Sequence, residues 1–205
     1  MEWSTLLYFL ATSILLTLAP GPDNLYLLTK SLSEGTKSGI VLSCGLASGI
    51  FFHTMLVMIG VAALIQSSPI ALTLLKYFGA AYLLFLAFNA FKSSGKIKLG
   101  HSDKKISYKL IYRRGILMNV LNPKVLLFFL AFLPQFIDIS AESPSLQIAL
   151  LGLIFALQAV IIFSLIAICA GRLHKIIIKK KNLDKIFAII EGTVLTAIAL
   201  ALVFM

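Results

Sequence analysis

The chain has 205 residues, of which 60% are apolar and 13% are charged, and its mean hydropathy is +1.00. A soluble domain carries about 25% charged residues and a disordered chain has low hydrophobicity, so the composition excludes both classes. The net charge of +10 would suit a nucleic-acid partner, but the distribution of the charges along the chain argues against nucleic-acid binding.

Six stretches are long and apolar enough to cross a bilayer, which takes about 20 residues of helix. In chain order they lie at 5–28, 39–65, 70–91, 115–137, 146–170 and 184–205. The first is not a cleavable signal peptide, because it lacks a basic start and five more spans follow it. The predicted fold is an all-α integral membrane protein with six transmembrane helices in a single transmembrane domain, 1–205.

The connections between these spans alternate in charge. Those at 29–37, 92–114 and 171–185 hold 16 of the 18 Lys and Arg residues, whereas the N-terminus and the other connections are acidic or uncharged. The positive-inside rule places the three basic connections in the cytoplasm and both termini outside. Topology and attraction to anionic lipid head groups therefore explain the basic excess, and no nucleic-acid partner is predicted.

Six spans divide into two groups of three, 1–91 and 115–205, joined by the basic loop 92–114. An odd number of spans inverts the second group relative to the first, as in many transporters. Proline beside a charge interrupts the first span of each group, and proline breaks a helix. Non-helical backbone at membrane depth survives only where protein or water surrounds it, so paired breaks predict a transport site between inverted repeats with broken helices 1 and 4. The break residues are Pro20, Gly21, Pro22, Asp23 and Asn24 in the first span, and Asn122, Pro123 and Lys124 in the fourth.

Three ionisable residues lie within the predicted spans and are candidates for substrate binding or coupling. Asp23 either faces a cavity or caps the second half-helix, since Asp before a helical run accepts backbone N–H bonds. Lys124 lies near the bilayer midplane, where a buried pair with Asp23 or Glu191 would offset its charge. Glu191, near the cytoplasmic end of the last span, could carry a proton, reach the interface or pair with Lys124.

Other chemistries lack their sequence signatures. There is no phosphate-binding loop, no zinc-protease spacing and no Ser/His/acid set, so the chain is predicted to be no enzyme and to need no cofactor or metal.

Two alternatives to the main prediction stay open. One is a metal or inorganic ion exporter, and the other is a thiol-redox carrier using Cys44 and Cys169.

Four stretches of the sequence resemble the LysE/RhtB family of bacterial amino-acid exporters. They are Leu18 to Asn24, Gly45 to Gly60 with His53 inside, Lys76 to Leu83, and Gly115 to Phe136 with its Asn122-Pro123-Lys124 element. The resemblance implies a secondary transporter in the cytoplasmic membrane that exports amino acids or close derivatives and is driven by an ion gradient. It leaves the exported amino acid open.

The resemblance and the breaks together suggest a mechanism. A half-helix N-terminus suits the carboxylate of an amino acid, and Lys124 could add positive charge there. Asp23 could hold the ammonium group, and protonation of Asp23 or Glu191 from outside would release the substrate in exchange for a proton. A chain of this size could also form a homodimer through a small-residue face.

Overall fold

The computed structural model describes residues 2–67, 69–92, 107–138, 141–177 and 183–204, and all regular structure in these residues is helical. The middles of the basic connections at 92–114 and 171–185 lie outside the described residues. The helices are α1 (Trp3–Leu18), α2 (Pro22–Glu34), α3 (Thr36–Ser67), α4 (Pro69–Lys92), α5 (Tyr108–Val120), α6 (Pro123–Leu127), α7 (Pro144–Ile177) and α8 (Leu183–Phe204). The segment after α6 continues as a π-helical turn, Phe128–Phe132, and a 3-10 turn, Leu133–Phe136.

Two sharp bends interrupt the helices at the first and fourth positions. Helices α1 and α2 meet at 58°, and α5 and the Pro123–Phe136 segment meet at 49°. Each bend precedes a proline in the first turn of the next helix. The missing N–H of proline costs nothing at that position, but the proline ring prevents the previous helix from continuing through it. Four unbroken helices are long and apolar enough to span a membrane, and counting each bent pair as one span makes six. The predicted positions of the broken helices are confirmed.

The structure moves two predicted boundaries. The fourth span begins as α5 at Tyr108 rather than at 115, because the basic side chains of its first turns are exposed and do not stop the helix. The second break therefore lies in the middle of its span, as the first does. The connection predicted at 29–37 is also mostly helical. Only Gly35, with a φ of +86° that favours glycine, separates α2 from α3.

Helix α3 packs against α5 and α7, while α4 packs against α8. The crossing of α3 and α5 depends on glycine at the contact. Gly45 lies against the carbonyl of Tyr112 and the Cα of Gly115, and Gly49 lies against Asn119 and the carbonyl of Ile116. The hydrophobic effect does not hold helices together in lipid, so their packing is stabilised by close backbone contact of this kind. The small-residue face at Gly45 and Gly49 serves this contact within the chain.

Aromatic side chains fill the core beside the second break. Phe128 stacks on Phe132 at 4.8 Å between ring centroids, and Phe155 of α7 meets Phe128 and Phe129 at 5.4 and 5.1 Å. Phe9 of α1 contacts Phe128 and Phe136, so the cluster joins the two halves of the chain. Ring pairs at these separations contribute about 0.5–1.5 kcal/mol each beyond their buried area.

The close crossing of α3 and α5 predicts the effect of one added methyl group. Gly45→Ala places a Cβ 2.2 Å from the Tyr112 carbonyl oxygen, well inside van der Waals contact distance, and should destabilise the protein by about 1–3 kcal/mol. Gly60→Ala is the matched control, since nothing lies within 4 Å of its new Cβ. Thermal unfolding in detergent should show a lower midpoint for Gly45→Ala alone. Equal midpoints for the two variants would contradict the packing described here.

Candidate functional site

The first break consists of three residues, Ala19, Pro20 and Gly21, between two helix ends. Gly21 is the N-cap of α2 in an extended conformation, and Pro22 occupies the first helical position. The amide of Asn24 donates to the carbonyls of Thr17 at 2.9 Å and Ala19 at 3.3 Å. Asn24 therefore satisfies acceptors at the end of α1 that the break leaves without helical partners.

Asp23 is the second residue of α2, and its side chain makes no capping bond to that helix. The alternative that it caps the second half-helix is therefore wrong, because the helix begins one residue earlier, at Pro22. Asp23 is only 4% exposed. Its Oδ2 accepts a hydrogen bond of 2.8 Å from Nδ2 of Asn122, which lies in the other break.

Asn122 joins the two breaks through its single amide group. Its Oδ1 accepts from the backbone N–H of Lys124 at 3.0 Å, which makes it the N-cap of α6, and its Nδ2 donates to Asp23. Both functions use the same planar group, so the orientation of α6 and the position of the Asp23 carboxylate are coupled.

Lys124 occupies the second helical position of α6, as Asp23 does in α2, and is 7% exposed. A positive charge at a helix N-terminus is unfavourable, whereas the carbonyl end of a helix attracts it. The Lys124 Nζ donates to the carbonyl of Ala19, just beyond the end of α1, at 2.8 Å. The charged residue of each break therefore bonds to the opposite break.

Glu191 of α8 is half-buried and approaches Gly21 from the side. A Cβ added to Gly21 would lie 3.2 Å from the Lys124 Nζ and 3.3 Å from the Glu191 Oε1. Electrostatic attraction links Lys124 to Glu191 and to Asp23. Lys124 makes no direct ion pair with either carboxylate, and its ammonium group donates to the Ala19 carbonyl.

A cavity of about 10 Å³ lies between the breaks, roughly the space for one water molecule. Six polar residues line it: Thr17, Asp23, Asn24, Asn119, Asn122 and Lys124. Its apolar lining comes from Leu16, Val125, Phe155 and Phe163. A carboxylate and an ammonium group thus share one small, largely polar enclosure, which in this conformation has room for about one water molecule.

The structure brings most of the predicted residues together at this cavity. Asp23, Asn24, Asn122 and Lys124 line it, and Pro20 and Gly21 form the bend beside it. Pro22 and Pro123 start the two half-helices and have exposed side chains. Glu191 is not part of the lining and reaches the site through Lys124 and Gly21.

Sequence reasoning missed the contribution of Thr17. The Gln158 Nε2 donates to the Thr17 Oγ1 at 2.9 Å, which connects α7 to the end of α1. Gln158 gave a signal as a polar residue in a span, but a threonine in an apolar helix gives none. His53 lies at 3.0 Å from the Asn119 carbonyl and packs against Phe129, so it takes part in helix packing.

The metal-exporter alternative would use a group of His, Cys and carboxylate ligands. Within the part of the chain that the structure describes, no three such residues form a group that could hold a metal ion. Cys44 on α3 and Cys169 on α7 are both free thiols. The site described here therefore consists of carboxylate, ammonium and amide groups at two helix breaks.

Comparisons with known proteins agree with this architecture. The family model for LysE-type translocators matches residues 14–205. An uncharacterized membrane protein of Vibrio cholerae is 32% identical over 171 residues, 83% of each chain. The uncharacterized membrane protein YrhP of Bacillus subtilis is 30% identical over 200 residues, 93% of this chain and 94% of the relative. The leucine efflux protein of Salmonella choleraesuis is 28% identical over 191 residues, 90% of this chain and 89% of the relative. No solved structure matches the chain significantly.

Helices broken at the first and fourth positions, with charged groups at the breaks, define a membrane transporter rather than an enzyme. The chain belongs to the family of LysE-type translocators.

The double role of Asn122 predicts a large effect of removing its amide. Asn122→Ala removes a helix cap and leaves the buried Asp23 carboxylate without its donor, which should destabilise the protein by about 2 kcal/mol or more. Asn89→Ala is the matched control, since Asn89 is exposed on α4. Thermal unfolding of the purified proteins in detergent measures the difference. An Asn122→Ala midpoint equal to that of the control would show that the bond to Asp23 does not contribute to stability.

Proposed function

We propose that the protein exports amino acids across the bacterial cytoplasmic membrane, driven by the ion gradient and exchanging substrate for protons. One observation carries the proposal, the cavity that Asp23 and Lys124 line together. An amino acid is a zwitterion, and its two charged groups need opposite partners a few ångströms apart. The occluded cavity has no room for an amino acid, so the substrate enters after the half-helices move apart.

Each charged group of the substrate has a partner at the breaks. The ammonium group binds the Asp23 carboxylate, which Asn122 holds in place through Oδ2. The substrate carboxylate binds Lys124 and free N–H groups at a half-helix N-terminus, where the helix dipole is positive. Binding then draws the Lys124 ammonium away from the Ala19 carbonyl, so the substrate takes the place of a bond within the protein.

The side chain of the substrate is apolar in this proposal. The apolar lining of the cavity consists of Leu16, Val125, Phe155 and Phe163, and the charged groups beside it are used by the substrate backbone. A basic or acidic side chain would find no partner of its own in this enclosure, and burying an unpaired charge is costly. The relative named leucine efflux protein is consistent with such a substrate.

Proton exchange uses the carboxylates near the break. Both termini lie outside and the basic connections face the cytoplasm, where they attract anionic lipid head groups. A proton arriving from outside neutralises Asp23 or Glu191 and weakens the hold on the substrate ammonium group. The substrate leaves outward, and the proton is lost to the cytoplasm after the site turns inward.

The direct test is the release of amino acids from cells fed with dipeptides, compared with and without the protein. Insertion into the membrane is verified first by a tag on the chain. Leucine, isoleucine, valine or methionine should leave faster from the expressing cells, while lysine and glutamate should leave at the same rate. Selective loss of lysine would contradict the apolar side-chain pocket. An unchanged profile for every proteinogenic amino acid would contradict amino-acid export.

Removing the charge at the first break should stop coupled transport. Asp23→Asn keeps the size and the bond to Asn122 but cannot hold an ammonium group by charge, so gradient-driven export should be abolished. Glu142→Gln, which removes an exposed carboxylate before α7, is the matched control and should export normally. Protein level and membrane insertion should be the same for both variants. Normal coupled export by Asp23→Asn would remove this residue from the mechanism.

A further inference from the structure

A second pair of opposite charges lies along the same half-helix as Asp23. Lys30 and Glu34 of α2 form an ion pair of 2.5 Å, and their side chains are only 7% and 12% exposed. The sequence predicts both residues in the cytoplasmic connection 29–37, whereas the structure places them inside α2. Taking two charges out of water costs several kcal/mol per ion, and an apolar pair of similar volume is often as stable. Packing alone therefore gives little reason for charges at these positions.

The pair continues the charged face of α2 away from the cavity. Asp23, Leu27, Lys30 and Glu34 are separated by four, three and four residues, so they lie on one face of the helix. Asp23, Leu27 and Lys30 are all buried. Lys30 lies seven residues beyond Asp23, or about 10 Å along the axis. One buried helix face therefore carries negative, positive and negative groups from the cavity to the end of α2.

The protein is tightly closed beside this pair. Ser31, the neighbour of Lys30, lies against Gly39 of α3, and Ala167 of α7 lies against the same glycine. A Cβ on Gly39 would clash with both side chains, so α2, α3 and α7 converge here without spare space. Opening this side of α2 therefore means separating it from α3 and α7.

The segment that follows the second break carries no such charged face. In the segment after the second break, residues 125–137 contain no charge, and the aromatic cluster of Phe128, Phe132 and Phe136 occupies the corresponding stretch. The charged face of α2 therefore extends from the cavity toward one membrane side, which the basic connections assign to the cytoplasm. An exporter loads its substrate from that side.

We propose that Lys30 and Glu34 form a cytoplasmic docking site for the zwitterionic substrate, closed by their own ion pair. When α2 moves away from α3 and α7, the substrate carboxylate replaces Glu34 on Lys30 and the substrate ammonium group replaces Lys30 on Glu34. The amino acid then passes along α2 to Asp23. This inference rests on the proposed export of amino acids and adds a loading site to it.

The test uses inside-out membrane vesicles, in which export appears as uptake and the concentration at the cytoplasmic face is set by the experimenter. Labelled leucine is the probe, and respiration supplies the proton gradient. Lys30→Met with Glu34→Gln removes both charges and leaves the cavity intact. The leucine concentration for half-maximal uptake should rise about tenfold or more, the cost of losing charge-assisted hydrogen bonds, while the maximal rate changes little.

One control variant and one stability measurement separate docking from a structural role. Lys37→Met with Glu142→Gln removes one positive and one negative charge from exposed positions and should leave half-maximal uptake unchanged. Lys30→Met with Glu34→Gln should keep the wild-type midpoint of thermal unfolding in detergent, whereas a purely structural pair predicts a lower midpoint. A wild-type concentration for half-maximal uptake, or a lowered unfolding midpoint, in this neutral variant would overturn the docking site. Absence of leucine uptake by the wild-type protein would instead overturn the proposed function on which it rests.

Discussion

An interrupted helix at membrane depth has to satisfy backbone groups that the bilayer cannot. Here the two interruptions satisfy each other. Asn122 of the second break binds Asp23 of the first, and Lys124 of the second break binds the Ala19 carbonyl of the first. Each half is therefore incomplete without the other, and the closed cavity between them is a consequence of this exchange. Whatever opens the cavity must break at least one of these bonds and replace it with a bond of similar strength.

Much of this arrangement could be predicted from the chain because its causes are local. Proline interrupts a helix that would otherwise continue through it, so Pro22 and Pro123 indicated both breaks, and the charges beside them indicated the site. The partners could not be predicted in the same way. Lys124 was expected beside a carboxylate, but its partner is a backbone carbonyl, which exists at every residue and leaves no mark in a sequence. The capping role considered for Asp23 failed for a similar reason, because Gly21 takes that position through its backbone.

Hydropathy predicts helix boundaries least well where charged side chains lie within a helix. A count of apolar residues ends the first span before Lys30 and starts the fourth after Arg114, yet both residues lie in helices. In α5 the basic side chains are exposed, so the helix simply extends toward the membrane surface. In α2 the side chains of Lys30 and Glu34 are buried and paired. Charged residues beside an apolar stretch thus form a solvated helix end in α5 but an internal charged face in α2. The two halves are therefore chemically different despite their similar breaks.

The bond between Asp23 and Asn122 also bears on how the protein is made. The two residues are 99 positions apart, so Asp23 enters the translocon long before its donor exists. At about 5–20 residues per second, the ribosome needs roughly 5–20 seconds to reach Asn122. During that interval an unpaired carboxylate in the middle of the first span opposes partitioning into lipid by about 2.5–3.5 kcal/mol. The first span should therefore remain near the translocon, or in a hydrated state, until the fourth span arrives.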